Sequence, residues 1–227
     1  MNKNIIEINK LYKNFKSINS TIKVLNDINL NLESGKLIAL MGPSGSGKST
    51  FLHLLALLDK PSKGKIRLLG KDTDDISEDQ KNLIIRNNIS IIFQNNNLLS
   101  DFNSLENVAI PLIIRGNSYN FSIKKAAKIL SKVNLGHRLE HFPNDLSGGE
   151  QQRVAIARSI ASDTNIILAD EPTGNLDEKT SEEVFSYFLK LKQKNKTILI
   201  ATHNRDIAKR ADYTLRLSNG NIKRANV

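Results

Sequence analysis

The sequence predicts an α/β fold built on a parallel β-sheet, and three features of the chain lead to this prediction. A glycine-rich segment at 42–50 separates the apolar runs 37–41 and 51–58, which is the order of a strand, a tight turn and a helix. Two later runs, 166–170 and 197–201, are apolar without alternation, as expected of strands buried on both faces of a sheet. The helical pattern between them completes a βαβ crossover.

The other elements follow in chain order. Alternation with period two at 5–8 and 24–32 predicts strands in the first forty residues. A turn at 59–64 precedes a short strand at 65–70, Ser77 is expected to cap the next helix, and an apolar strand at 89–93 ends at Gln94. Residues from about 95 to 160 are predicted to be mostly helical, a further helix is expected at 181–194, and a last strand at 213–217 precedes a basic tail.

Composition excludes several classes of protein. The chain has 227 residues, enough for one α/β domain with a core of its own, and no cysteine, which rules out disulfides, thiolate catalysis and cysteine-ligated zinc. It contains no run of about eighteen uncharged apolar residues and no signal-peptide pattern, so we expect a soluble cytoplasmic protein. The net charge of +10 is spread along the chain. A solvated basic face is favoured, an anionic membrane surface comes second, and nucleic acid third.

The segment between the first two apolar runs fits the pattern G-x-x-x-x-G-K-[ST]. Its glycines let the backbone wrap a phosphate, so that N–H groups and the helix dipole point at the anion. Lys48 would reach the β- and γ-phosphates, and the Ser49 hydroxyl would be a ligand of Mg²⁺. We therefore expect ATP and Mg²⁺ as cofactors and a phosphate-binding segment made of Gly42, Pro43, Ser44, Gly45, Ser46, Gly47, Lys48, Ser49 and Thr50.

Two carboxylates follow the buried strand at 166–170. Asp170 at the carboxyl end of that strand could hold Mg²⁺ opposite Ser49, and Glu171 could polarise a water as general base. Alone, two carboxylates at a strand end would more often be surface residues. The phosphate-binding segment earlier in the chain makes the catalytic interpretation the better one.

A second helix N-terminus suited to an anion begins at 146–158, with the sequence LSGGEQQRVAIAR. One nucleotide does not need two phosphate-binding helix ends from one lobe, so this end is expected to act on a nucleotide bound by another subunit. Here the chain resembles, over essentially its entire length, the ATP-binding subunit of ABC transporters. The resemblance implies a P-loop NTPase with a RecA-like core, an N-terminal antiparallel β subdomain and an α-helical subdomain inserted at about 95–160 of a single domain, 1–227.

The resemblance also implies roles for individual residues. Gln94 would sense the metal and the γ-phosphate, and His203 would hydrogen-bond the γ-phosphate. Phe15 lies where an aromatic residue stacks on adenine, although Tyr12 is close enough to take that place. Contacts across a head-to-tail homodimer would come from Ser147, Gly148, Gly149, Glu150 and Asp177.

Several segments resemble the lipoprotein-releasing branch of this family, including 53–59, 98–114 with its Asp101–Phe102 pair, and 168–177. The last is shared with macrolide-exporter and cell-division ATPases, which remain alternatives. Soluble ABC ATPases of repair or translation are a remote alternative, since they carry a long coiled coil or two tandem domains. The resemblance implies a peripheral subunit on the cytoplasmic face of the inner membrane, partnered by a permease and not by nucleic acid. We expect some of the apolar side chains of 95–115, Phe102 above all, to contact that permease. The alternative is that they form the core of the helical insert, which is the better interpretation for 108–113.

Overall fold

A computed structural model describes residues 4–16, 20–74, 76–174 and 176–225. The strands, in chain order, are β1 Asn4–Lys16, β2 Thr21–Glu33, β3 Leu37–Met41, β4 Lys63–Leu68, β5 Lys71–Asp72, β6 Ile89–Ile92, β7 Ile166–Asp170, β8 Thr197–Ala201, β9 Tyr213–Ser218 and β10 Asn221–Ala225. The α-helices are α1 Lys48–Leu55, α2 Glu78–Asn88, α3 Ser104–Ile114, α4 Tyr119–Lys132, α5 Gly148–Ser162, α6 Glu178–Gln193 and α7 Arg205–Arg210, with a 3₁₀ turn at Pro143–Asp145.

The larger sheet has six strands in the order β10-β9-β3-β8-β7-β6. Every pair from β9 to β6 is parallel, and only β10 runs antiparallel, against β9. The carboxyl ends of β3, β6, β7 and β8 therefore meet at one edge, which is where open α/β sheets bind their ligands. The chain order of these four strands differs from their order in the sheet, so distant segments of the sequence converge there.

The smaller sheet is antiparallel, with the order β2-β1-β4-β5. One hydrophobic core lies between the two sheets and includes Phe51 and Leu52 of α1. A second core joins the opposite face of the large sheet to α3, α4, α5 and α6. This is the P-loop NTPase architecture with an antiparallel β subdomain that the sequence predicts.

The predicted strands at 166–170 and 197–201 have the same limits in the structure, and every residue of both is buried. The expected cap of α2 is confirmed, because the Ser77 hydroxyl accepts from the Gln80 N–H at 3.3 Å in a full capping box. The basic tail contains a strand that the sequence did not predict, since 221–225 form β10. Among the described residues, no helix combines the length and apolar character needed to cross a membrane.

Candidate functional site

A cleft of about 580 Å³ opens at the carboxyl edge of the large sheet. It is bounded by the segment after β3, the residue pair at the end of β7, the turn after β8 and the segment after β6. Almost all of the expected nucleotide-binding and catalytic side chains meet there. Its lining residues are Val24, Gly42, Pro43, Ser44, Gly45, Gly47, Lys48, Ser49, Thr50, Gln94, Asp170, Glu171, Gly174 and His203.

The glycine-rich segment has a shape that side chains would prevent. Gly47 is the N-cap of α1 with φ 101°, a left-handed conformation that glycine adopts without steric cost, and it supplies no side-chain cap. The first N–H groups of α1 are therefore left for a ligand. A Cβ on Gly42 would lie 2.5 Å from the Leu217 carbonyl oxygen, so this segment packs directly against the backbone of β9.

Lys48 is held inside the loop that it follows. Its ammonium donates to the Gly42 carbonyl at 2.9 Å and to the Pro43 carbonyl at 3.3 Å, and lies 3.7 Å from Glu171 Oε1. The side chain is only 10% exposed. The positive charge is thus fixed at the wall of the cleft, where an anion within reach would meet little competition from water.

Glu171 lies directly after β7 with φ 44°, an uncommon conformation for a residue with a side chain. Its N–H donates to the Ala201 carbonyl at 2.9 Å, which ties it to the end of β8. Its Oε2 lies 3.0 Å from Nδ1 of His203, which is otherwise 72% exposed. Glu171 Oε2 is buried and has no hydrogen-bond partner, so its close approach to His203 is not a well-aligned hydrogen bond. The backbone therefore aims a carboxylate at the cleft and leaves one oxygen available to a ligand.

Oxygen donors suitable for a hard cation also lie in the cleft. Ser49, Gln94 and the 7%-exposed Asp170 all line it, and hydroxyl, amide and carboxylate oxygens suit Mg²⁺. No cluster of three His, Asp or Glu side chains occurs in the described part of the chain. A cation held by these three residues would need further ligands from a bound phosphate or from water.

The start of α5 lies outside this cleft. Ser147 caps the helix by accepting from the Glu150 N–H at 3.3 Å, and Glu150 Oε2 accepts from the Ser147 N–H at 2.8 Å. Burial raises the pKa of the Glu150 carboxyl, but hydrogen bonds from Ser147 and Arg138 outweigh it and hold that pKa below its usual value. Ser147 and Gly148 are exposed, and a Cβ on Gly148 would meet nothing within 4 Å. The glycine end of α5 is rigid and open to solvent.

Asp177 caps α6. It accepts from the Thr180 N–H at 3.0 Å and from the Thr180 hydroxyl at 2.6 Å, and these bonds hold the pKa of its carboxyl below the usual range. This cap explains why α6 begins at 178, three residues before the predicted start. Asn175, within the segment 172–177 that the sequence assigns to subunit contact, lies outside the described residues.

The expected adenine contact is not among the residues that line the cleft. Phe15 is 43% exposed, and the Lys13 ammonium lies over its ring at 4.9 Å. Tyr12 has different surroundings, since its hydroxyl hydrogen-bonds with Asp27, and burial and that carboxylate raise the pKa of the phenol. Val24 on β2 does line the cleft, and sequence reasoning missed it. Its place in an alternating strand gave no signal that distinguishes it from its neighbours.

Residues 25–174 match the family described as ABC transporter. The chain is 46% identical over 222 residues to the lipoprotein-releasing system ATP-binding protein LolD of Rickettsia bellii, covering 97% of this chain and 98% of that protein. LolD of Rickettsia typhi is 47% identical over the same share. The macrolide export ATP-binding/permease protein MacB of Bdellovibrio bacteriovorus is 43% identical, over 96% of this chain but 33% of that protein.

Solved structures of ATP-binding cassettes have the same fold. The ATP-binding cassette MJ0796, in a dimeric post-hydrolysis state bound to ADP and Pi, superposes with a TM-score of 0.91 at 36% identity, covering 98% of this chain and 99% of that one. A second dimeric structure of that bacterial ABC transporter cassette gives a TM-score of 0.92 at 38% identity, covering 96% and 97%. The chain is therefore an ATP-binding and ATP-hydrolysing protein.

The close approach at Gly42 generates a stability prediction. Gly42→Ala would force a methyl group against a backbone carbonyl, and such overpacking costs about 1–3 kcal/mol of unfolding free energy. We expect a clear fall in melting temperature. Gly148→Ala is the matched control, because its methyl group would enter open space at a helix start. Equal melting temperatures for the two variants would contradict the packing described for β9.

Proposed function

This chain belongs to the ABC transporter family, and we propose that it powers a membrane permease that releases lipoproteins from the inner membrane. The observation that carries the proposal is the match to the LolD proteins, which extends over 97% of this chain and 98% of the relative. We propose that the whole of 1–227 acts as one ATP-binding domain, with 95–160 as its helical subdomain. The protein would be peripheral, on the cytoplasmic face of the inner membrane.

Phosphate binding would be the work of the segment 42–50. Backbone N–H groups at the start of α1 would surround the β-phosphate, and the Lys48 ammonium would exchange its carbonyl partners for β- and γ-phosphate oxygens. Ser49, Gln94 and Asp170 would hold Mg²⁺, which neutralises phosphate charge when it is bound. Phe15, whose side chain is 43% exposed, would stack on the adenine.

Hydrolysis would depend on the pair at the ends of β7 and β8. The Glu171 carboxylate would accept the proton of the attacking water as general base. His203, whose ring is 3.0 Å from that carboxylate, would orient it and hydrogen-bond the γ-phosphate. Gln94 would contact the same phosphate, so that its segment registers whether the γ-phosphate is present.

A complete site would need two chains. Ser147, Gly148, Gly149 and Glu150 do not line the cleft of their own chain, and Ser147 and Gly148 are exposed, which supports a role on the nucleotide of a partner subunit. The two cassette structures of MJ0796 are dimeric, which supports a homodimer here. In such a dimer Asp177 would reach the phosphate-binding segment of the partner at the cost of its bonds to Thr180.

An exposed apolar surface in the segment after Gln94 supports contact with a permease. Leu99, Phe102, Ile113 and Ile114 are 46%, 40%, 38% and 60% exposed. In contrast, Val108 and Leu112 are buried in the core of the helical region. We propose that the exposed four receive a short amphipathic helix of the permease.

A second candidate function is energising a macrolide or peptide exporter. The 43% identity to MacB supports it, although MacB is about three times longer than the part that this chain matches. A cell-division complex is a further alternative, supported by the sequence motifs alone.

Complementation distinguishes lipoprotein release from macrolide export. In cells depleted of LolD, this chain with its own permease should restore release of lipoproteins from the inner membrane. Restored macrolide resistance without lipoprotein release would favour the exporter.

Nucleotide affinity should depend on Lys48. Lys48→Ala removes a charge-assisted partner of the phosphates, and bonds to charged groups are worth about 1.5–3 kcal/mol, or roughly ten- to a hundredfold in affinity. Equilibrium binding of a fluorescent ATP analogue measures the change. Lys128→Ala removes the same charge from an exposed position on α4 and should leave affinity unchanged. Equal affinities would contradict the phosphate assignment.

Glu171→Gln should separate binding from chemistry. Loss of a general base slows turnover by about 10²–10⁴-fold, while the amide keeps the size of the side chain and removes a negative charge near the γ-phosphate. We expect the variant to accumulate as an ATP-bound dimer in gel filtration. Glu78→Gln, an exposed change on α2, should hydrolyse ATP normally and elute as the wild type does. Wild-type turnover in Glu171→Gln would mean that another group is the base.

Phe102→Ala tests the permease surface. The variant should keep the melting temperature and ATP affinity of the isolated chain, since the ring is partly exposed, but should lose co-purification with the permease and permease-stimulated hydrolysis. Phe121→Ala, an exposed phenylalanine of α4 outside the surface, should retain both. A lower melting temperature of Phe102→Ala alone would identify Phe102 as a core residue and rule it out as a contact.

A further inference from the structure

Arg158 joins α5 to the segment that follows Gln94. Its guanidinium donates to the Asn97 carbonyl through one terminal nitrogen and to the Asn96 carbonyl through the other, both at 2.8 Å. The bonded residues are 61 and 62 positions away in the sequence. One side chain therefore ties the C-terminal part of α5 to a turn that begins two residues after Gln94, which lines the ATP cleft.

The turn has the shape that a forked donor requires. Asn96 and Asn97 are both left-handed, with φ 59° and 44°. The Asn96 N–H donates to the Phe93 carbonyl at 3.0 Å, and the Asn97 N–H donates to the Asn95 carbonyl at 2.6 Å. Two successive carbonyls are thereby presented to one planar guanidinium, which is a geometry that arginine satisfies and lysine does not.

The hydrogen bonds of Arg158 form at the cost of partly burying its charge. Burial lowers the pKa of the Arg158 guanidinium, and no acidic group offsets that burial. Among the described residues, the ion pairs within 4 Å do not include Arg158. A half-buried cation without a carboxylate partner is stabilised here by two backbone carbonyls. Its two hydrogen bonds tie the turn to α5.

Helix α5 behaves as one stiff body between Arg158 and its glycine end. Val154, Ala155, Ile156 and Ala157 are buried in the helical core, and Gln151 donates to the Pro143 carbonyl at 2.9 Å. The capping box at Ser147 completes the first turn. Eleven residues of α-helix span about 16 Å. A displacement of the turn at 96–97 would therefore reach Ser147 and Gly148 as a movement of the whole helix.

We propose that Arg158 is a positioning residue that couples the ATP cleft of one chain to the helix end which that chain presents to its partner. The inference rests on the proposed function, in which Gln94 contacts the γ-phosphate and the start of α5 caps the partner's nucleotide. ATP in one cleft would then set the position of the cap over the other cleft. The two sites of the dimer would bind and hydrolyse ATP cooperatively because each chain contains this link.

Arg158→Lys tests the link, since it keeps the positive charge but cannot donate to both carbonyls in a fork. In the isolated full chain we expect ATP affinity within about twofold of wild type, because Arg158 does not line the cleft. We expect ATP-driven dimerisation of the variant, measured in the Glu171→Gln background, to weaken by about 5- to 150-fold, the usual range of coupling between sites. The Hill coefficient for hydrolysis against ATP concentration should fall towards one.

Arg115→Lys is the matched control. Arg115 also donates from two nitrogens to a carbonyl, that of Arg86, at 3.1 and 2.6 Å, and burial lowers its pKa as well. Its bond joins α2 to the end of α3 and does not involve the turn at 96–97. We expect Arg115→Lys to keep the wild-type dimerisation constant and Hill coefficient of the isolated chain.

Hydrogen exchange separates coupling from simple stability. At a protein concentration below the dissociation constant of the dimer, ATP should change the amide exchange rates of residues 147–151 in the wild type. In Arg158→Lys, ATP should leave these rates unchanged, whatever the melting temperature of the variant. An equal ATP response in both chains, or unchanged dimerisation and Hill coefficient in Arg158→Lys, would overturn the inference alone. A wild type that neither dimerises with ATP nor hydrolyses it would contradict the proposed function and the inference together.

Discussion

Parallel pairing of β3, β8, β7 and β6 is the constraint on which the candidate site depends. Because parallel strands end at the same edge, four segments separated by up to about 160 residues deliver their next residues to one cleft. Those residues are Gly42 after β3, Gln94 after β6, Glu171 after β7 and His203 after β8. Each strand is short and buried, so a shift of one residue in any pairing would turn its terminal side chain away from the cleft.

The same edge also fixes the electrostatics of the site. The Lys48 ammonium bonds to two carbonyls of its own loop and faces Glu171, whose other oxygen faces His203. A basic residue and an acidic residue thus stabilise each other where phosphate and water are proposed to bind. The charges are preorganised, so ligand binding exchanges partners without having to order long side chains. The left-handed backbone at Glu171 is maintained by its bond to β8 and contributes to that order.

Much of this arrangement could be predicted from the sequence, since it follows from local patterns. The buried strands show as uninterrupted apolar runs, and the phosphate segment shows as glycines followed by Lys48 and Ser49. The rest depends on tertiary neighbours. Val24 lines the cleft because β2 crosses near α1, and nothing in the alternation of β2 marks it. Strand β10 has exposed basic residues, so its pairing with β9 is visible only when the six-stranded sheet is assembled. Helix α6 begins at Glu178, before the start that its apolar pattern predicts, because Asp177 caps it.

The N-termini of α1 and α5 differ in their caps and in where they open. The N-cap of α1 is a glycine without a side chain, and its free N–H groups open into the cleft of the same chain. The N-cap of α5 is a serine locked to Glu150, and its glycine end opens to solvent. In the proposed head-to-tail homodimer, that end would act on the nucleotide of a second copy. Within one chain, the proposed connection between the two ends runs through the turn after Gln94, because the half-buried Arg158 side chain links that turn to α5.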